Sequence, residues 1–392
     1  MKPYLNPFAP GAGMPPPELA GRDSLLSKAK NAIKRNTTGN SARSFIYVGL
    51  RGVGKTVLLN EVQAMADEEG AITDFIEVSN NDSLSRIMIA TMRAALLKLD
   101  RMKNFSDKVK QGLRILKSFI GAVKVKHGDL EFSIDIDGES VVADSGTLTR
   151  DLAELFVAVG EAARSRASSI VLLIDEIQNI TEKEYEALIM AVHRVNQRKL
   201  PVLVIGAGLP LLVKLSGQAK TYAERLFEYP SVGALGEIEA GRALNQPLEV
   251  AGVKINSDAT DLVIKKTQGY PYFIKEWGYQ IWNRSEGPSI TKKDVIKCSE
   301  AAIARLDQNF FNSRYERLSE AQKQYLRAMA ELGQGPHRSG DIAKILGKST
   351  AQLGTTREGL IRNGMIYSPE YGKTAFTVPL FDEFMKRKQP DF

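Results

Sequence analysis

Cysteine occurs once in this chain, at Cys298, and histidine three times, at His127, His193 and His337. A single thiol excludes an internal disulfide framework and any zinc module built on several cysteines. Histidines so far apart in sequence leave no cluster of the kind that holds a metal. No apolar run reaches the roughly 18 residues that a spanning helix needs. The opening MKPYLNPFAPGAGMPPPE also lacks the apolar core of a signal peptide. Charge of either sign is only slightly in excess: 53 Lys and Arg stand against 46 Asp and Glu, a net +7 over 392 residues. That permits a polyanionic partner without requiring one. The expectation is a soluble, cytoplasmic protein with no membrane role. Its 43% hydrophobic content is ordinary for a folded chain, and at roughly 150 residues per domain its length predicts two or three domains.

Proline and glycine crowd residues 1–17, so no long helix fits there and an extended arm is expected. A helical pattern from about Asp23 to Lys34 and the polar loop NTTGNSARS follow. From Phe45 the texture alternates: the apolar run FIYVG, a helix, the strand AITDFIEVS, and a helix from about Leu84 to Arg101. Further on come IVLLID, the helical EKEYEALIMAVHRVNQ and the buried run PVLVIGAG. Strands alternating with helices predict an α/β fold, a parallel sheet with helices on both faces. A helix at 103–122 and a hairpin at 123–136, turning at His127-Gly128-Asp129, read as an insertion over about 103–140. After about Leu235 helices dominate to about Asn312.

Gly49-Leu50-Arg51-Gly52-Val53-Gly54-Lys55-Thr56 matches G-x-x-x-x-G-K-[ST] between a predicted strand and a predicted helix. Its glycines let backbone N–H groups curl around phosphate oxygens, and the helix N-terminus adds a favourable dipole. Gly49, Gly52, Gly54, Lys55, Thr56 and Val57 are therefore candidate contacts to ATP or ADP. Lys55 would reach the β- and γ-phosphates and the Thr56 hydroxyl would ligate Mg2+. Val171-Leu172-Leu173-Ile174-Asp175-Glu176 ends an apolar strand in two acids. Asp175 suits Mg2+ through water, and Glu176 is placed to polarise an attacking water.

The segment Glu18-Leu19-Ala20-Gly21-Arg22-Asp23, the glycine-rich motif, LLIDE and VIGAGLP follow one another in a known order. Over roughly residues 18–380 the chain resembles the AAA+ ATPases related to origin-recognition initiators (the ORC and archaeal ATPase-like group) and their STAND relatives. The resemblance implies a P-loop NTPase core at 18–235 and a helical lid at 236–312. It also implies that Leu19, Gly21 and Arg22 lie near the adenine. In that group a polar sensor residue ends the strand after the acidic pair. This chain has Ile205-Gly206-Ala207-Gly208 there, with no Asn, Ser or Thr, so slow hydrolysis is expected. Gly269-Tyr270-Pro271 resembles the STAND Gly-x-Pro element, whose proline packs on adenine, which implicates Gly269 and Pro271. The same triplet is also an ordinary way to begin a helix. Arg225 stands where related ATPases keep an arginine finger that completes a neighbour's site, which implies a homo-oligomer. A surface or salt-bridging arginine is the competing reading.

From Ser319 three helices and a hairpin are predicted. SEAQKQYLRAMAELG places Tyr325, Leu326, Met329 and Leu332 on one face. SGDIAKILG and STAQLGTTREGLIRNGMI have helix-turn-helix spacing, with Ser349 as N-cap of the second helix. A turn at Pro369–Lys373 then makes residues 319–392 resemble a winged helix. Such a module would offer Thr350, Gln352, Thr355, Thr356 and Arg357 to the major groove of double-stranded DNA, and Lys348 and Lys373 to phosphates. Its net charge is only +3, from eleven Lys and Arg against eight Asp and Glu. Further anchors would come from KVKQGLRILKSF, VKVKHG or Lys386-Arg387-Lys388, runs that otherwise read as solvated faces. Three functions follow: an ATP-dependent DNA-binding ATPase of replication initiation, transposition or mobile elements; a STAND-type switch whose winged helix contacts protein; and a metabolic kinase, disfavoured by the lid and winged helix.

Overall fold

The computed structural model describes residues 1–11, 13–79, 82–101, 107–122, 147–213 and 226–392. The hairpin expected at 123–136 and the candidate Arg225 lie outside them. The chain separates into two compact units. A sheet unit comprises Asp23–Gly49 and Lys55–Ser231, and a helical unit comprises Met1–Arg22, Leu50–Gly54 and Val232–Phe392.

In the sheet unit, β1 (Ser44–Gly49), β3 (Ile170–Asp175) and β4 (Val202–Gly208) are buried at every position. Runs such as FIYVG and IVLLID demand this, because a strand apolar on both faces needs cover on both. With β2 (Ile72–Glu77) and the short β5 (Phe227–Glu228) they pair in parallel in the order β2-β3-β4-β1-β5. Parallel pairing brings the carboxyl ends of neighbouring strands to one edge, the edge where ligands bind in such sheets. The register sets Glu77 beside Asp175 and Ile174 beside Gly206.

Helices α1 (Asp23–Thr37), α2 (Lys55–Glu68), α3 (Leu84–Arg101), α4 (Asp107–Ala122), α5 (Leu148–Ser165) and α6 (Glu182–Gln197) accompany the strands among the described residues. A reciprocal capping box of Thr181 and Glu184 starts α6. Helix α4 sets Val109, Leu113, Leu116 and Phe119 into the core of the sheet unit. Gly112 allows the close approach, since a Cβ there would lie 2.7 Å from Leu96 Cδ2. Lys108 on its outer side pairs with Glu161 at 2.9 Å. The basic stretch KVKQGLRILKSF is thus a packed amphipathic helix, and its charges line the face away from the core.

The helical unit runs through Glu237–Val250, Ser257–Thr267, Pro271–Arg284 and Lys292–Leu306. Lys254–Ile255 and Ser289–Ile290 also pair as a parallel ladder, too short for sequence periodicity to reveal. A π-helical turn, Asp307–Phe311, precedes the helices Glu320–Glu331, Ser339–Ile345, Gly354–Arg362 and Phe381–Lys388. Ile366–Tyr367 and His337–Arg338 both pair antiparallel with Lys373–Phe376. Ser349 does not cap the helix expected after it. Gln352 N donates to Ser349 Oγ at 3.3 Å, while Ser349 N donates to Gln352 Oε1 at 2.9 Å. This closes a single turn, and the helix begins only at Gly354.

The N-terminal arm is tied down. Phe8 is 1% exposed and lies where a Cβ on Gly278 would fall 2.8 Å from its ring. Asn6 Nδ2 donates to Tyr279 O and Asn283 Oδ1, both at 3.1 Å, and Trp282 Nε1 donates to Lys2 O at 2.9 Å. Replacing Phe8 by Ala should lower the stability of this unit by about 3 kcal/mol in urea unfolding. A loss below about 1 kcal/mol, within reach of an ordinary surface change, would show that the arm does not hold the helix.

Candidate functional site

At the end of β1 the chain turns through residues 50–54 into α2. Gly52 (φ +84°) and Gly54 (φ +94°) adopt conformations that a side chain would strain. Lys55 opens the helix and is buried at 6% exposure. Beside it Thr56 Oγ1 donates to Asp175 Oδ2 at 2.5 Å, joining the start of α2 to the tip of β3. The Glu176 backbone N–H donates to the other oxygen, Oδ1, at 2.8 Å. Burial raises the pKa of Asp175; the bonds from Thr56 and Glu176 N–H oppose this, the Glu176 charge adds to it and the Lys55 charge opposes it.

A hydroxyl and a carboxylate side by side are the hard oxygen donors that Mg2+ takes. Among the described residues no group of three or more His, Cys, Asp and Glu converges. A cation at Thr56 and Asp175 would therefore complete its shell with water and phosphate oxygens, as Mg2+ does.

Glu176 is held in the left-handed region (φ 54°, ψ 37°), strained for a residue with a side chain. Gln178 explains where its carboxylate goes. Gln178 Nε2 donates to Glu176 Oε2, and Gln178 Oε1 accepts the Leu209 N–H at 3.0 Å. Asn179 Nδ2 anchors the same turn to Val78 O at 2.7 Å. The bareness of β4 now has a spatial reason. A Cβ on Gly206 would lie 2.2 Å from Ile177 Cδ1, and one on Gly208 would lie 2.7 Å from Gln178 Oε1. A polar side chain, that of Gln178, thus stands beside the end of β4. Sequence reasoning passed over it because Gln178 and Leu209 are neighbours only in space.

In the helical unit, Arg22 donates to Val53 O at 3.0 Å and to Gly233 O at 2.7 Å, so its guanidinium braces the glycine-rich turn. Gly21 and Gly269, both at φ +67°, converge on Leu235. A Cβ on Gly21 would lie 3.3 Å from Leu235 Cδ2, and one on Gly269 only 2.3 Å from Leu235 O. Leu235 N in turn donates to Gly269 O at 2.9 Å. Gly269 is therefore required by a close backbone approach, while Pro271 opens its helix. Leu19 is half-buried and Val57, in the sheet unit, likewise.

Among the C-terminal candidates Lys348, Thr350, Gln352 and Thr355 are exposed and Thr356 is half-buried. Arg357 instead reaches the hairpin: Nε donates to Thr374 Oγ1 and Nη2 to Ser368 Oγ, both at 3.0 Å. Lys373 pairs with Glu370 at 2.8 Å. In the basic end, Arg387 forks onto Asp307 at 3.0 and 2.8 Å, and Lys388 lies 3.8 Å from Glu316.

Residues 18–205 match the AAA ATPase domain family, and residues 308–385 match a domain family of unknown function, DUF8462. Among solved structures the Walker-type ATPase PABY2304 of Pyrococcus abyssi is 14% identical with a TM-score of 0.55, over 94% of this chain and 96% of that one. The ORC1 protein of Aeropyrum pernix, solved in complex with DNA, is 15% identical over 99% and 97% of the two chains, with a TM-score of 0.49. RuvB of Thermotoga maritima, a Holliday junction branch migration motor, is 16% identical over 95% of each, with a TM-score of 0.45. The Pyrococcus likeness shows a shared P-loop NTPase fold. A search of curated proteins returns no match. No helix among the described residues is long and apolar enough to cross a membrane.

A carboxyl whose pKa is raised by folding weighs against the folded state once it ionises, and the penalty vanishes as pH falls through that pKa. Asp175→Asn removes the charge but keeps an oxygen for Thr56. Without nucleotide the variant should melt above the wild type at neutral pH, and the gap should close on acidification to about pH 4. Scanning fluorimetry across pH reads this directly; a gap independent of pH would contradict the assigned cause.

Proposed function

We propose that this chain, whose residues 18–205 are an AAA ATPase domain, hydrolyses ATP and couples its nucleotide state to duplex DNA through a C-terminal winged helix. One observation carries the first half: Thr56 bonded to Asp175 at 2.5 Å, with buried Lys55 and strained Glu176 adjoining them in the chain. The amides of residues 50–54 and Lys55 would hold the phosphates, and Thr56 and Asp175 would hold Mg2+. The ion, when bound, offsets charge on the phosphate oxygens. Glu176 would orient and polarise the attacking water. Its bond to Gln178 favours a resting carboxylate that must turn before it reaches that water, in keeping with slow turnover. Gly21, Arg22, Gly269 and Pro271 would shape the adenine side, with Leu19. Residues 236–312 would act as lid. Arg225 would complete the site of a second copy in a homo-oligomer.

For DNA, the helices Glu320–Glu331, Ser339–Ile345 and Gly354–Arg362 together with a three-stranded sheet support the winged-helix reading. The exposed Lys348, Thr350, Gln352 and Thr355 would face the duplex. A second reading is favoured by Arg357 and Lys373, whose charged ends are engaged by residues of the hairpin. It is a nucleotide switch whose winged helix contacts protein.

Lys55→Ala should abolish binding of ATP and ADP alike, and retained affinity would sink the phosphate assignment. Glu176→Gln should keep nucleotide binding and lower turnover about 100-fold or more; undiminished turnover would remove Glu176 from the water. Binding to random duplex should weaken with salt. Lys348→Ala should reduce the slope of log affinity against log salt by about one unit. No measurable duplex binding would favour the protein-contact reading.

A further inference from the structure

The helical unit holds a cavity that the nucleotide reading does not use. It measures about 540 Å3, within the range of sites that enclose small molecules. Its walls come from the helices Pro271–Arg284 and Lys292–Leu306 and from the first residues of the π-helical turn Asp307–Phe311. Ala301 and Ala304 leave the hollow, since each puts a single carbon where a longer side chain would fill it.

The wall is polar, and one helix presents it as a ladder. Glu276, Gln280 and Arg284 follow at four-residue intervals, which places them on one face. Gln280 Nε2 donates to Glu276 Oε1 at 3.0 Å, and Arg284 Nε donates to Gln280 Oε1 at 3.3 Å. From the facing helix Arg305 lies 4.4 Å over the Tyr279 ring, with its Nε 3.2 Å from Glu276 Oε1. That Nε is buried and, in spite of the ion pair, makes no hydrogen bond.

The carboxylates nearby are already answered. Glu276 is 2% exposed; burial raises its pKa, and the Gln280 bond and then the Arg305 charge oppose this. Asp307 receives Arg387 through two bonds, at 3.0 and 2.8 Å. Arg284 is exposed, and among the described residues no carboxylate pairs with it. Its charge reaches the facing helix: burial raises the pKa of Cys298, and Arg284 is the foremost influence against that rise. The exposed amide side chains of Gln308 and Asn309 complete the wall. An apolar ligand would desolvate these groups and give them no partner. A guanidinium instead takes an oxyanion through parallel N–H bonds, and the amides offer both donors and acceptors to hydroxyl groups. Arg284, Arg305 and Arg387 stand against Glu276 and Asp307, an excess of one positive charge. One carboxylate matches that excess, whereas a phosphate group, at about −1.5 to −2, exceeds it.

We propose that this cavity binds a small organic carboxylate bearing hydroxyl groups, held by Arg284 and Arg305 with Gln308 and Asn309 as further contacts, and that its occupancy fixes the turn Asp307–Phe311 against the paired helices. The turn has an uncommon geometry that often marks functional segments. It also opens the stretch matched to the domain of unknown function, and its Phe311 packs on Phe381 at 5.5 Å and Phe384 at 5.2 Å. A ligand at Gln308 and Asn309 is thereby placed to act on the C-terminal helix Phe381–Lys388.

The test is titration calorimetry on the full chain at constant ionic strength, with gluconate, glucose and inorganic phosphate as probes. Gluconate should bind saturably, and glucose, its uncharged counterpart, should not. No saturable gluconate binding, or glucose binding as tight, would overturn the proposal, and binding of phosphate alone would overturn the carboxylate assignment. Arg284→Gln, at an exposed position, should weaken gluconate about tenfold or more, the loss expected for one charge-assisted contact, and Arg284→Lys should recover part of it. Ala301→Leu should abolish binding by filling the hollow with every charge in place; undiminished binding would move the ligand elsewhere and end the proposal. Asn309→Ala, exposed, is read for weakened binding if Ala301→Leu does not fold. Hydrogen exchange supplies the second readout: amides of 307–311 should gain protection with gluconate, and unchanged protection at saturation would overturn the coupling to the turn.

Discussion

The hydrogen bond from Thr56 to Asp175 is the contact on which the site depends. It joins the first turn of one helix to the tip of a strand distant in sequence, and it exists because β3 lies between β2 and β4 with its carboxyl end on the ligand edge of a parallel sheet. A buried carboxylate is unfavourable by itself, and burial is the largest influence on Asp175. Two hydrogen bonds and the Lys55 charge offset part of that penalty, and a bound cation would offset the rest. The fold thus keeps an ionisable group where hydrophobic packing alone would place an apolar one, which is how binding sites commonly differ from the core around them.

The same edge shows how small residues make room for functional ones. Gly206 and Gly208 carry no side chain because Ile177 and Gln178 occupy the space beside them. Gln178 spans the gap between the strained Glu176 and the backbone of Leu209. One side chain therefore holds both the acid and the end of the next strand. Glu176 keeps its left-handed backbone because bonds on both sides of it, from its own N–H to Asp175 and from Gln178 to its carboxylate, over-determine its position.

In the helical unit the organising element is aromatic. Tyr270, Phe273, Phe310, Phe311, Phe381 and Phe384 succeed one another at centroid separations from 4.9 to 6.0 Å. Edge-on and tilted rings of this kind pack with defined geometry, so a displacement at one end is not readily absorbed along the way. The arm is held to the same unit by Phe8 and three side-chain hydrogen bonds. Its prolines rule out a long helix, and its few specific anchors replace the regular backbone bonds that a helix would supply.

Local information sufficed wherever a residue's neighbours in sequence are also its neighbours in space. The glycine-rich turn, the apolar strands ending at Gly49, Asp175 and Gly208, and the helix from Leu84 to Arg101 were legible because periodicity and backbone chemistry act over a few residues. The late start of the helix at Gly354 and the engagement of Arg357 with Thr374 were not, since each turns on competition between a local cap or charge and another partner. Gln178 beside Leu209, Gly269 against Leu235, and Arg305 beside Glu276 are likewise contacts between segments far apart along the chain. The amino-acid sequence alone determined which groups were available for phosphate and metal chemistry. Only the tertiary structure decided which of those groups are satisfied and which are left buried without a partner, because hydrogen bonding and desolvation depend on distances that chain separation does not set.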